Sequence, residues 1–116
     1  MQVTQTKPQF LTEALIEVLN NEWKVNAIES GHSVYTQLEY EVGRKYIKVW
    51  SYLRDSIFED ARLRGRSCFM FVDKETGAVY KPASYKAPAK GIRFYIDFLV
   101  DHPEVVDPYG SFLYIR

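Results

Sequence analysis

Residues 79–91 read VYKPASYKAPAKG, and the window running on to Arg93 carries Lys81, Lys86, Lys90 and Arg93 with no acidic residue among them. Tyr80, Tyr85, Phe94 and Tyr95 interleave with those cations. Cations beside flat rings are the chemistry of single-stranded nucleic-acid binding. The cations neutralise phosphates, and each ring offers a π-face to a base, for about 1–3 kcal/mol per stacked base. On this reading Tyr85 is the stacking ring. Four charges on one segment predict a moderate affinity that weakens with salt. The same letters also serve a purely structural part. Pro82 and Pro88 fix φ and hold Lys81 and Ala87 extended. The alanines let that backbone lie close to a sheet, and the lysines face water. Such a strap covers a sheet edge and keeps it from pairing with another chain.

Other chemistry is poorly supplied. One cysteine and two distant histidines, His32 and His102, make no Cys/His ligand set. The acidic run around His102 (Asp97, Asp101, Glu104, Asp107) lacks the glycine-punctuated spacing of a calcium loop. Gly31-His32-Ser33 sets a base beside a hydroxyl, but adjacent strand residues point to opposite faces. Cys68 lies in the apolar run CFMFV, where its thiol is expected to have a raised pKa and be inert. The six glycines are scattered singly, with no phosphate-binding loop. The expectation is a protein without catalytic residues, metal or cofactor.

The elements that must position the basic segment follow from periodicity. Leu11, Leu15, Val18, Leu19 and Trp23 recur at spacings of three and four, predicting an amphipathic helix over residues 9–28 that ends at Gly31. Residues 1–8 are expected to be a flexible arm. From Val34 the period drops to two. Val34, Thr36, Leu38 and Tyr40 share one face, and Tyr35, Gln37, Glu39 and Glu41 the other. After a reversal at Val42-Gly43-Arg44, Tyr46, Lys48, Trp50 and Tyr52 oppose Ile47, Val49, Ser51 and Leu53, completing a hairpin. Residues 55–66 read as a long, charge-rich connection. SCFMFVD fits a strand buried on both faces, DKETG a turn with Gly77 at positive φ, and AVYKP the returning strand. Pro82 and Pro88 are expected to block regular pairing. GIRFYIDFLVD regains helical spacing, DHPEVVDPYG reads as loop, and SFLYIR as a terminal strand.

At 116 residues and 13.6 kDa the chain fits one domain, residues 1–116, able to bury a core without disulfides. Fifteen basic and fifteen acidic residues cancel, so any polyanion site must be local. The unpaired cysteine fits a reduced, cytoplasmic setting, and no stretch has the length to span a bilayer. The predicted class is α+β: an N-terminal amphipathic helix on a small, strongly bent antiparallel sheet, in its most curled form an Sm/SH3-like, partly open barrel.

FVDKETGAVYKPASYKAPAKGIR, residues 71–93, resembles the core of a family of small uncharacterised proteins encoded by tailed bacteriophages, notably marine ones. The ending GSFLYIR and the stretch GRKYIKV, residues 43–49, extend the likeness to about a third of the chain. The resemblance implies a phage genome and a host cytoplasm, and no activity. LRGRS, residues 63–67, is similar to the short Leu/Ile-Arg-Gly signature of the RNA-binding Sm-type barrels, although it falls midway and no first Sm motif precedes it. Together these readings describe a non-enzymatic phage accessory protein. Lys81, Tyr85, Lys86, Lys90 and Arg93 are its candidate contacts to single-stranded RNA or DNA. The alternative is a protein-interaction module that binds a host or phage protein, or a homo-oligomer built through sheet edges.

Overall fold

The computed structural model describes residues 6–55 and 64–114. Along the chain these form α1 (Lys7–Glu29), β1 (Val34–Val42), β2 (Tyr46–Asp55), β3 (Arg64–Asp73), β4 (Ala78–Tyr80), β5 (Phe94–Tyr95) and α2 (Ile96–Asp101). Two short 3₁₀ turns follow, at Pro103–Val105 and Ser111–Leu113.

Helix α1 starts earlier than periodicity predicts. Thr6 is its N-cap and accepts from the Gln9 N–H at 3.2 Å, while Pro8 sits in the first turn, where a missing N–H costs nothing. Lys7 and Pro8 therefore belong to the helix rather than to an arm; residues 1–5 lie outside the described residues. At the other end Gly31 adopts φ +74°. Its N–H donates to Ile28 O at 3.2 Å and the His32 N–H to Ala27 O at 2.8 Å, the paired bonds of a Schellman stop. The face carrying Leu15, Ile16, Leu19, Trp23 and Ala27 is buried. Val18, at the margin of that arc, is instead exposed.

The strands form one antiparallel meander in the order β1-β2-β3-β4-β5. Its two edges, β1 and β5, do not meet, so the sheet is open and the class is α+β. The core lies between α1 and the inner sheet face, where Leu38, Ile47, Val49, Met70, Val72 and Val79 meet the helix, joined by Ile96, Leu99 and Leu113. On the β1 edge, the Asn20 carboxamide of α1 donates to Leu38 O at 2.9 Å and accepts from the Leu38 N–H at 2.8 Å. A side chain thus occupies the place of a neighbouring strand and obstructs edge pairing there.

A bulge decides the faces of β3. Val49 pairs with Met70 but Trp50 with Cys68, leaving Phe69 unmatched. Phe69 and Met70 consequently both turn toward the helix, with the Phe69 ring 6.5 Å from that of Trp23. Cys68 falls to the outer side with Trp50. The expected double burial holds: Phe69 to Val72 are all buried.

Three other expectations change. Residues 64–66 are part of β3, not of the connection, and residues 56–63 lie outside the described residues. The helical spacing predicted from Gly91 is realised only over Ile96–Asp101, because Phe94 and Tyr95 pair with β4 first. SFLYIR is not a strand over its described part. The Asp107 carboxylate accepts from the Tyr109 N–H at 2.9 Å, the Ser111 N–H at 3.1 Å and the Ser111 hydroxyl, and Gly110 takes φ +75°. This winds Ser111–Leu113 into a 3₁₀ turn that drops Leu113 into the core.

Candidate nucleic-acid interface

The basic segment is the upper part of a β4–β5 hairpin. Val79 pairs with Phe94, and the Arg93 N–H donates to Val79 O at 2.8 Å. Lys90, Gly91 and Ile92 then loop out, with Gly91 at φ +97°. Above this bulge pairing resumes: the Ala89 N–H donates to Lys81 O at 2.7 Å and the Ala83 N–H to Ala87 O at 3.0 Å. Between those two bonds Pro82 faces Pro88 across an isolated bridge. Antiparallel strands alternate hydrogen-bonded rungs with rungs that need no N–H from either residue. The prolines occupy one of the latter, so they do not block pairing as expected but fit it. Ser84-Tyr85-Lys86 form the tip, where the Ser84 hydroxyl accepts from the Lys86 N–H at 3.1 Å.

The course of the hairpin separates the five predicted contacts. Tyr85, 59% exposed, and Lys86 project together over the outer sheet face, with the ammonium 5.6 Å from the ring. Lys81 points the other way, its Nζ 4.5 Å from the Tyr114 ring beside a cavity of about 380 Å³ that Tyr109 and Leu113 also line. Lys90 is exposed on the bulge. Arg93 is half-buried, and its Nε is enclosed without a hydrogen-bond partner. The structure therefore brings together two of the five residues and sets the other three apart.

What joins Tyr85 and Lys86 comes from β1, β2 and β3. Lys48 Nζ lies 5.1, 5.6 and 5.8 Å from the ring centres of Trp50, Phe71 and Tyr85. The Arg66 guanidinium stacks 3.6 Å over Trp50. Trp50 Nε1 donates to Glu41 at 3.0 Å, and the same carboxylate lies 3.8 Å from Arg66. Trp50 is only 7% exposed, because this cationic lid covers it. Tyr46 packs edge-on to Phe71 at 5.7 Å and Tyr80 at 6.0 Å. A groove of about 730 Å³ runs between the tip and Glu41, Lys48, Trp50, Arg66 and Cys68. It continues into one of about 220 Å³ lined by Arg44, Lys45, Tyr46, Phe71 and Lys86, sharing Glu41 and Lys48. The residues lining the two grooves carry five cations (Arg44, Lys45, Lys48, Arg66, Lys86) against the one carboxylate of Glu41.

Burial pushes the Cys68 thiol above its usual pKa, outweighing the opposite pull of Lys48 and Arg66, so it stays a protonated groove wall. Among the described residues, no three His, Cys, Asp or Glu side chains gather as metal ligands. No helix among them is long and apolar enough to cross a membrane.

The signal for the larger site was present in the alternation of β2, which sets Tyr46, Lys48, Trp50 and Tyr52 on one face. Its pairing partners were the missing part. The register places Glu41 opposite Lys48, and the bulge turns the outer side of β3 toward Trp50. Arg66 lay within what read as a connection and carried no periodicity of its own.

No curated protein and no solved structure matches the chain. Residues 1–115 match DUF7717, a family of unknown function, and the chain belongs to that family.

Proposed function

We propose that this protein binds single-stranded nucleic acid across the outer sheet face and the overhanging hairpin tip, without catalysing a reaction on it. The observation that carries this is the Lys48 ammonium set among three rings, at the junction of two grooves lined by five cations and one acid. Lys45, Lys48 and Lys86 would take phosphates, and exposed Tyr85 would stack on a base. Arg66 would exchange the Trp50 face for a phosphate and so uncover a second stacking surface. Bases locked in a duplex cannot reach rings beneath an overhanging tip, which favours single strands. Glu41 orients the Trp50 indole and limits the local positive potential, so the affinity is moderate. Of the residues predicted from sequence, Tyr85 and Lys86 keep their role in this reading and Lys81, Lys90 and Arg93 do not. The phage-like KPASYKAPAKG core and the single, unpaired Cys68 support an accessory role inside an infected, reducing cytoplasm.

Fluorescence anisotropy with labelled poly-dT or poly-U, and with a duplex of equal length, tests the reading. The expected result is preference for the single strand and a loss of about 5- to 150-fold in affinity for Tyr85→Ala, the equivalent of one base stack. Equal affinity for strand and duplex, or no binding at low salt, would refute it.

A further inference from the structure

Helix α1 has two apolar faces, and the fold uses one. At 3.6 residues per turn, Phe10, Ala14, Val18, Asn21, Val25 and Ile28 share about a quarter of the helix circumference, from the margin of the buried arc at Val18 to the side turned away from Leu19 and Trp23. Phe10 is 60% exposed, Val18 48%, Val25 41% and Ile28 54%, on a strip about 27 Å long. A surface helix ordinarily carries polar side chains on that side. A sustained apolar strip instead marks an interaction surface.

We propose that this strip is a homodimer interface, with α1 packed antiparallel on α1 of a second copy. The occupant follows from charge and spacing. Exposed Lys7 and Glu29 stand at the two ends of α1, on the same flank of the strip. Two copies related by a twofold axis through Val18 set Lys7 of each against Glu29 of the other, whereas a parallel pair gathers both Lys7 at one end and both Glu29 at the other, with no opposite charge to meet. In the same antiparallel register Val18 meets its own twin, Phe10 packs into the gap between Val25 and Ile28 of the partner, and small Ala14 allows close approach. The obvious competing route to a dimer, strand addition at β1, is obstructed where Asn20 occupies both backbone groups of Leu38. The outer sheet face is left open on each copy, so a dimer presents two grooves.

Light scattering coupled to size exclusion on the full chain tests this. The expected mass is twice 13.6 kDa, falling to the single-chain value for Val18→Glu, which sets two carboxylates against each other at the axis. Val18 is exposed, so circular dichroism and thermal melting of that variant should match a folded single copy. Lys7→Glu should weaken dimerisation, and Lys7→Glu with Glu29→Lys should restore it. A wild-type mass of one chain at the highest soluble concentration overturns the proposal. So does a dimer that Val18→Glu leaves intact, which would place the contact elsewhere. Failure of the charge swap to restore what Lys7→Glu loses overturns the antiparallel arrangement.

Discussion

Removing Lys48 and Lys86 together tests the proposed interface through a quantity that only electrostatics changes, the dependence of affinity on salt. Each phosphate neutralised on a single strand contributes a slope of about −0.7 to log K against log salt. Five cations line the joined grooves, so the ceiling for the wild type is a slope of about −3.5. That slope corresponds to about a 100-fold loss of affinity between roughly 50 and 200 mM salt. Lys48→Ala with Lys86→Ala leaves three cations, a slope of about −2 and a loss of about 20-fold over the same range. Because Glu41 already engages Arg66 at 3.8 Å, the wild-type value is expected somewhat below the ceiling, and Glu41→Gln should steepen it. The control comes from the same basic segment. Lys90 sits on the bulge and lines neither groove, so Lys90→Ala should leave the slope unchanged. Anisotropy titrations of a labelled oligonucleotide at four or more salt concentrations give the slopes directly. The reasoning fails if the double variant keeps the wild-type slope, or if Lys90→Ala lowers it as much as removal of Lys48 does.

Three further outcomes concern how the fold holds this face in place. Gly77→Ala forces a side chain into φ +79°, with its Cβ 3.0 Å from Ile96 Cγ2. The left-handed conformation alone costs about 1–2 kcal/mol, and the melting temperature should fall by several degrees. Asn20→Ala strips Leu38 of both hydrogen bonds to that side chain on the β1 edge, which should destabilise by about 1–3 kcal/mol and increase aggregation, read by light scattering after mild heating. Acid should weaken the molecule in a definite window. Hydrogen bonds led by the Thr76 N–H hold the Asp73 carboxyl below the usual range. At Asp107 burial pushes upward but is outweighed by donation from the Ser111 hydroxyl and the N–H groups of Ser111, Tyr109 and Phe112. Both folded values lie below the unfolded value of about 3.9, so the stabilisation is complete above that pH and disappears as pH falls through the folded values. Melting curves recorded downward from about pH 6 should drop chiefly below about pH 4, and Asp107→Asn should flatten that fall.

Sequence by itself determined the local elements. A three-and-four spacing that ends at Gly31 can bury one side only as a helix, period-two runs around Gly43 can do so only as a hairpin, and the apolar run before the Gly77 turn needs the strand returning from it as a partner. Short connections between those strands left an antiparallel α+β domain as the compact solution. Even the aromatic and cationic side of β2 was readable, because alternation along a strand is a local property. Tertiary structure alone decided which charges meet. A side chain's direction on a sheet depends on register, and an odd number of unmatched residues reverses it, as Phe69 alone does for β3 and the three residues 90–92 do within the basic hairpin. Continuation of β4 turns Lys81 to Tyr114, while the hairpin tip carries Lys86 over the outer face, although five positions separate them in the chain. The Pro82–Pro88 rung and the Asp107-centred turn are of the same kind. Whether a proline interrupts a ladder, or a terminal apolar run pairs as a strand, depends on which hydrogen-bonding partners the rest of the fold brings beside it.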